Sequence, residues 1–230
     1  MSNLAGGAEV AKSAAKDLSI ELGHLLQSQQ VVNLVLTGGT VGIKVLSELA
    51  PLIDHMDLSG LQIWWGDERF VEANSRDRNS VQANEALLSR IQVPKENIHE
   101  MPSIEVGDLE TASKVFSELF ESQVPTFDIV LLGMGPDGHV ASLFPDSNAI
   151  EFGNWVVAEP DSPKPPQQRI SLSYRALSSA NQVWFLVAGR DKAAAVSRVF
   201  AGEDLPATRV SGKEQTKWYM DEAAASEITS

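Results

Sequence analysis

Short apolar runs alternate along the chain with longer segments in which apolar residues recur at helical spacing. The runs are rich in β-branched residues and nearly continuous, which is typical of strands covered on both faces. Strands are predicted over residues 31–36, 61–65, 127–132, 169–172 and 183–187. Helices are predicted over Ala8–Gln27, from the residues after Thr40 to Pro51, over Ser80–Arg90, Leu109–Glu121 and Asp191–Phe200. This order predicts a Rossmann-like α/β fold of three layers, a mostly parallel sheet with helices on both faces.

The composition narrows the classes of partner. The chain has 230 residues, 43% of them hydrophobic, and residues 1–230 are expected to form a single domain. The formal net charge of −13 opposes binding to nucleic acid or to an anionic membrane. Because there is no cysteine, disulfides, thiolate catalysis and cysteine-bound metals are excluded. No secretory signal and no apolar run of membrane-spanning length stands out, so we expect a cytoplasmic protein. No contiguous apolar surface stands out either, so we expect a monomer.

Four glycine-containing or charged segments follow strands of the predicted sheet. In open α/β sheets a ligand lies beyond the carboxyl ends of the strands. The segments are Thr37–Thr40, Gly66–Arg69, Gly133–His139 and Gly189–Lys192. They are therefore expected to converge on one crevice.

The segment Thr37-Gly38-Gly39-Thr40 joins a strand to a helix. Its two glycines allow positive φ angles, and the first turn of the helix offers free N–H groups and a partial positive charge. A phosphate cradle is one interpretation. An ordinary turn between a strand and a helix is equally compatible with the residues.

Charged side chains follow the next strand along the chain. Asp67 and Arg69 lie between Trp65 and Phe70, so they are expected to be partly buried. An exposed charged turn is the simpler interpretation of such a cluster. Buried charges without partners are unfavourable, however, and this favours a binding role.

Residues Gly133, Gly135 and Gly138 form a G-x-G-x-x-G pattern after a strand. The pattern is typical of a dinucleotide site. Asp137 would repel a pyrophosphate, and Pro145 leaves room for only a short helix. The loop also comes late in the chain, so dinucleotide binding is the weaker interpretation.

The same loop ends in Asp137-Gly138-His139. If His139 begins a helix, the helix dipole disfavours its charged form and leaves a neutral general base near neutral pH. Asp137 could orient the imidazole or hold a water molecule. Backbone N–H groups of the turn from Gly133 to Gly138 could stabilise an oxyanion. A buried structural histidine is the alternative, and it would be favoured for a histidine without this context.

The remaining candidate site residues are the other histidines, one serine and two basic residues. His24, His55 and His99 have no partner at metal-ligand spacing, so no metal site is predicted. No G-x-S-x-G occurs, and Ser142 is interpreted as a packing or capping residue. In so acidic a chain, Arg169 and Lys192 are the candidates for holding an anionic substrate.

Taken in order, these segments resemble the 6-phosphogluconolactonase family. That family belongs to the wider group of glucosamine-6-phosphate deaminase and ribose-5-phosphate isomerase-like folds. The matching segments are 36–40, 65–69, 133–139 with 141–145, Pro165-Pro166 with 169–171, and Gly189 with Lys192.

The resemblance implies hydrolysis of 6-phosphoglucono-δ-lactone to 6-phosphogluconate, without cofactor or metal. It also implies roles for individual residues. His139 would be the base that activates water, with Asp137 beside it, and Arg69 would lie in the substrate crevice. Arg169 and Lys192 would hold phosphate and hydroxyl groups, and the turn Thr37–Thr40 would lie on the phosphate side.

Three alternatives stay open at this point. Glucosamine-6-phosphate deaminases share the Asp-Gly-His segment but typically follow it with a segment ending in Asn-Glu-Pro. Here residues 141–145 contain no carboxylate, which disfavours that activity. A non-catalytic sugar-phosphate sensor is normally tethered to a DNA-binding domain, for which this chain has no room. An NAD-dependent oxidoreductase is the third.

Overall fold

The structure, a computed structural model, describes residues 2–123, 126–145, 147 and 154–228. Its strands are β1 (Ser2–Leu4), β2 (Val32–Leu36), β3 (Leu61–Trp65), β4 (Asp67–Arg69), β5 (Ile129–Gly133), β6 (Val156–Glu159), β7 (Arg169–Leu172), β8 (Gln182–Val187) and β9 (Gln215–Asp221). Its α-helices are α1 (Gly7–Ser28), α2 (Gly39–Ile53), α3 (Asn79–Ala86), α4 (Leu109–Gln123), α5 (Tyr174–Leu177) and α6 (Ala193–Phe200). Within these residues, no helix combines the length and hydrophobicity needed to cross a membrane.

The main sheet has the strand order β1-β9-β8-β5-β2-β3, and all its pairings are parallel. Alternate residues of each central strand are buried on opposite faces. Leu34, Leu36 and Leu131 pack with helices α1 to α3, whereas Val35 and Val130 pack with α4, α6 and a second sheet. The continuous apolar runs thus reflect a sheet covered on both sides, and the predicted fold class is confirmed.

A second sheet, of order β4-β7-β6, is antiparallel and was not predicted. The segment after Trp65 was interpreted as a turn, but Asp67–Arg69 forms a strand because it pairs with β7. In this register Asp67 lies opposite Ser171, and Arg69 lies opposite Arg169. Two distant charged segments are thereby placed side by side above the main sheet.

The ends of two predicted helices differ from the structure. Helix α2 continues through Pro51 to Ile53 instead of ending at the proline. Pro51 has no N–H for the carbonyl of Ser47, and Arg90 Nη1 donates to that carbonyl at 3.4 Å. The helix predicted over Ser80–Arg90 is shorter, since α3 ends at Ala86 and a 3₁₀ turn covers Leu88–Arg90.

Candidate active site

A cleft of about 250 Å³ opens where strands β2, β5 and β8 of the main sheet end. The small sheet forms its opposite wall. The cleft is lined by ten of the predicted site residues, Thr37, Gly38, Gly39, Asp67, Arg69, Gly133, Gly135, His139, Arg169 and Lys192. Thr40 lines an adjoining cavity of about 310 Å³, which shares Gly38, Gly39 and Lys192 with the cleft. Asp137 and Gly138 lie behind the lining residues, in the loop that carries His139.

His139 and Asp137 form a hydrogen-bonded pair. The distance between His139 Nδ1 and Asp137 Oδ1 is 2.5 Å, and the imidazole is 14% exposed. Partial burial would raise the pKa of Asp137, but the hydrogen bond and charge of His139 outweigh it and lower that pKa to about 2. An ionised carboxylate can only accept, so Nδ1 donates the proton and Nε2 keeps its lone pair. When the imidazole is neutral, this hydrogen bond therefore selects the tautomer in which Nε2 is the acceptor.

Gly135 makes room for this ring. A Cβ added at Gly135 would overlap His139 Nδ1 and Asp137 Oδ1, so no other residue fits without moving the imidazole. Phe144 packs on the other side, with 4.6 Å between the ring centroids. Gly138 has φ of 84° and carries the chain from the acid to the base. The glycines of this loop serve the placement of one histidine.

One expectation about this loop is wrong, and a second is restricted to fewer N–H groups. His139 does not begin a helix, because residues 140–145 form turns and Ala141 takes a φ of 49°. The hydrogen bond to Asp137, and not a helix dipole, fixes the orientation of its imidazole. The N–H groups of Gly133, Gly135 and Gly138 already donate to Thr37 Oγ1, His139 O and Gly135 O. These three N–H groups are therefore not free to form an oxyanion hole, and a role of other N–H groups in the turn stays a prediction.

The turn Thr37–Thr40 connects β2 to α2. Gly39 has φ of 78°, and no side chain caps the first N–H groups of the helix. Asn79, at the start of α3, packs so closely on Gly38 that a Cβ there would overlap Asn79 Oδ1. The free end of α2 and this close packing together leave a cradle of backbone N–H groups at the edge of the cleft.

Asp67 is fixed by two neighbours. Ser142 Oγ donates to Asp67 Oδ2 at 2.6 Å, and Asn79 Nδ2 donates to the Asp67 carbonyl at 2.8 Å. The carboxylate is 8% exposed and lines the cleft. Ser142 was interpreted as a packing or capping residue, and its hydroxyl in fact orients the acid of the cleft.

Glu68 points away from the cleft and supports it from below. Its carboxylate accepts from the backbone N–H groups of Arg69, Asn79 and Ser80 at 2.7, 2.7 and 2.9 Å. Buried Arg78 lies 3.5 Å from Glu68 and donates to the carbonyl of Met101 at 2.6 Å. This network joins β4 to the first turn of α3, so it holds Arg69 and Asn79 in register.

The charge of the cleft is opposite to that of the chain. Its described lining contains four cations, Arg69, Lys164, Arg169 and Lys192, and one acid, Asp67. Arg69 and Arg169 lie directly opposite each other across β4 and β7, an arrangement that is unfavourable without a bound anion. The lining is therefore suited to an anionic ligand.

Several lining residues were missed by the sequence analysis: Asn79, Met134, Ala141, Phe144, Lys164 and Pro165. Phe144 and Pro165 belong to segments that carry the family resemblance, which is the signal that could have found them. For Asn79 the signal is weaker, namely its position at the start of a predicted helix. Lys164 directly precedes the matching segment Pro165-Pro166 and has no sequence signal of its own.

The other histidines lie outside the cleft. His24 and His55 are exposed, and His99 stacks on Trp64 with 3.9 Å between the ring centroids. In the part of the chain that the structure describes, His, Asp and Glu side chains form no group of three that could hold a metal ion.

Fold and cleft together define a class, that of α/β proteins with a cation-lined cleft beyond the ends of parallel strands. The chain belongs to the family described as glucosamine-6-phosphate isomerases/6-phosphogluconolactonase, whose model matches residues 6–218. The predicted resemblance is confirmed at this level. The chain is 38% identical to the 6-phosphogluconolactonase of Mycobacterium leprae, over 94% of this chain and 93% of that protein.

Two further relatives agree. The 6-phosphogluconolactonase of Streptomyces coelicolor is 38% identical, with 95% of this chain and 90% of that protein covered. Among solved structures, the 6-phosphogluconolactonase of Thermotoga maritima superposes with a TM-score of 0.87 at 30% identity, covering 96% of this chain and 98% of that one.

Proposed function

We propose that this protein is a 6-phosphogluconolactonase, which hydrolyses 6-phosphoglucono-δ-lactone to 6-phosphogluconate. The full-length likeness to curated lactonases supports the activity. The observation that carries the mechanism is the Asp137–His139 pair, whose Nε2 lone pair serves a cleft lined by cations. A base and an anion site within one small cavity are the two features that this reaction requires.

The reaction consumes one water molecule. His139 Nε2 accepts a proton from water as the water oxygen attacks the carbonyl carbon of the lactone, and a tetrahedral oxyanion forms. The oxyanion collapses and breaks the bond from that carbon to the ring oxygen, which takes the proton from the imidazolium. The new carboxylic acid releases a proton to solvent. A lactone is an activated ester, so a positioned water and one base suffice.

The phosphate is proposed to lie at the opposite end of the cleft. The first turn of α2 supplies backbone N–H groups there, and Arg69, Arg169 and Lys192 supply charge. A phosphate between Arg69 and Arg169 would relieve the repulsion of these two side chains. The lactone ring would then extend toward His139.

Deaminase activity is the nearest alternative, because one family model covers both activities. The stretch after His139 contains no carboxylate until Asp146, whereas deaminases place an acid there. A panel that measures lactone hydrolysis, ammonia release from glucosamine 6-phosphate and NAD binding separates the candidates. Ammonia release without lactone hydrolysis would overturn the proposal.

The role of the histidine is tested with His139→Ala. We expect lactonase turnover to fall about 10²- to 10⁴-fold while 6-phosphogluconate still binds. The matched control is His55→Ala, since the His55 side chain is 71% exposed and lies outside the cleft. Near-normal turnover in His139→Ala would exclude the general-base role.

The partner is proposed to be the small sugar-phosphate lactone alone. A monomeric state and a cytoplasmic location stay predictions. Size-exclusion chromatography with light scattering tests the first of these.

A further inference from the structure

The proline-rich loop before β7 forms part of the cleft wall. The backbone N–H of Ser162 donates to the Gln167 carbonyl at 3.0 Å and closes the loop. Buried Arg169 then holds it from below, because its guanidinium donates to the carbonyls of Lys164, Pro165 and Pro166 at 3.1, 3.3 and 2.6 Å. The backbone of Lys164 is thereby fixed at the rim, with the side chain lining the cleft.

The four cations of the cleft differ in what they contact. Lys192 pairs with Asp191 at 3.1 Å, and Arg169 is engaged by the loop carbonyls. Arg69 Nη1 donates to the carbonyl of Asp77. Within the described residues, the ammonium of Lys164 forms no ion pair and no hydrogen bond with the protein. Its three N–H donors are available to a ligand.

Lys164 lines the same cleft as His139, Arg169 and Lys192, and the residue as a whole is exposed at the rim. Partial burial lowers the pKa of Lys164, the charge of Asp137 opposes that change, and Lys192 and Arg169 add to it. The ammonium therefore shares one cleft with the base and with the cations of the proposed phosphate end.

The proposed reaction creates negative charge beside His139, first on the oxyanion and then on the carboxylate. The glycine N–H groups of the neighbouring loop already have acceptors, so they do not supply the stabilisation. An uncommitted ammonium in the same cleft can do so.

We propose that Lys164 is a catalytic residue of this lactonase, whose ammonium binds the carbonyl oxygen as it becomes an oxyanion and then the product carboxylate. This inference rests on the proposed function. It assigns the otherwise unexplained loop of residues 162–167 to the active site.

The equilibrium test compares two ligands that differ in whether they carry the carboxylate that Lys164 is proposed to bind. 6-Phosphogluconate carries both phosphate and carboxylate, whereas glucitol 6-phosphate carries the phosphate alone. Calorimetry on the full chain is expected to show that Lys164→Gln binds 6-phosphogluconate about 10- to 100-fold more weakly and glucitol 6-phosphate as tightly as the wild type. The matched control, exposed Lys213→Gln, should bind both ligands normally. Lys164 bonds to the loop through its backbone, so the substitution leaves those bonds in place.

Each other outcome overturns the proposal. If Lys164→Gln binds both ligands more weakly to the same degree, Lys164 contacts the phosphate. If it binds both as tightly as the wild type, Lys164 contacts neither group. If the wild type binds neither ligand, both this inference and the proposed function fail. If the wild type binds 6-phosphogluconate but hydrolyses no lactone, the proposed function and the catalytic role of Lys164 fail together. Lactone hydrolysis by the wild type without selective weakening in Lys164→Gln overturns the role of Lys164 alone.

Kinetics supply a second readout. Lys164→Gln should lower kcat more than it changes KM, and Lys164→Arg should restore part of kcat. Because its pKa is lowered, Lys164 should lose its charge at a lower pH than an ordinary lysine. The alkaline decline of wild-type turnover should therefore move to higher pH in Lys164→Arg. A decline that does not move would contradict the assignment.

Discussion

The two ends of the cleft differ in how complete they are without a ligand. At one end, Asp137 and His139 satisfy each other at 2.5 Å, and Gly135 and Phe144 enclose the ring. At the other, Arg69 lies opposite Arg169, and Arg69 Nε is buried without a hydrogen-bond partner among the described residues. The first end is assembled by the protein alone. The second places two like charges opposite each other, and a bound anion would relieve their repulsion. In the proposed mechanism, the chemistry and the recognition of the anion are thus separated.

The largest effect is expected from Asp137→Asn. The amide can turn its NH₂ toward Nδ1 and favour the tautomer in which Nε2 is protonated and cannot act as a base. Turnover should fall about 10²- to 10⁴-fold with little change in KM. Steady-state kinetics measure both values, and an unchanged kcat would show that the acid does not set the tautomer.

Gly135→Ala tests the enclosure of the base. The new methyl group would displace the imidazole, and a misplacement of about 1 Å is expected to lower kcat about 10²-fold. Gly23→Ala is the control, since a Cβ there has its nearest neighbour at 3.7 Å, in ordinary contact. Equal activities of the two variants would mean that the ring tolerates another position.

Arg69→Gln tests the proposed phosphate end of the cleft. Removing one of two opposed cations should raise KM for the lactone about tenfold, while kcat changes little. Without ligand, the variant should be as stable as the wild type or slightly more stable, because the like-charge contact is lost. Added inorganic phosphate should raise the Tm of the wild type more than that of the variant.

The control for this variant is Arg76→Gln, which removes an exposed arginine outside the cleft. It should respond to phosphate like the wild type. If Arg69→Gln shows the same phosphate stabilisation as the wild type, Arg69 does not belong to the anion site.

The smallest effect concerns a residue outside both ends. Burial lowers the pKa of His99 below its usual 6.5, so below that pH the unfolded chain binds a proton that the folded chain does not. Stability should therefore fall as the pH decreases through this range, and His99→Gln should reduce the slope. Urea unfolding at about pH 7.5 and about pH 5.5 measures it. An identical slope in the variant would contradict the prediction.

The main sheet could be predicted because its central strands are apolar on both faces. The strands that were missed lack that signal. Segment 67–69 is fully charged and becomes a strand only through its pairing with β7. Likewise, β9 begins with Gln215 and Thr216, whose polar side chains resemble those of a loop. Such strands depend on distant partners, which local patterns do not contain.

For the site, the motifs identified the residue types but not the contacts. The loop ending in His139 was predicted to start a helix, and backbone N–H groups of its turn, the glycines among them, were predicted to stabilise an oxyanion. In the structure they make room for the ring and close the loop instead. The position of Lys164 at the cleft depends on hydrogen bonds from Arg169 to loop carbonyls, and no local sequence pattern reveals these bonds.

The orientation of the ligand between the two ends is the central claim, and a crystal structure with 6-phosphogluconate tests it most directly. We predict the carboxylate within hydrogen-bonding distance of His139 Nε2, and the phosphate at the first turn of α2, beside Arg69 and Arg169. A phosphate bound at His139, with the carboxylate between the two arginines, would contradict the account.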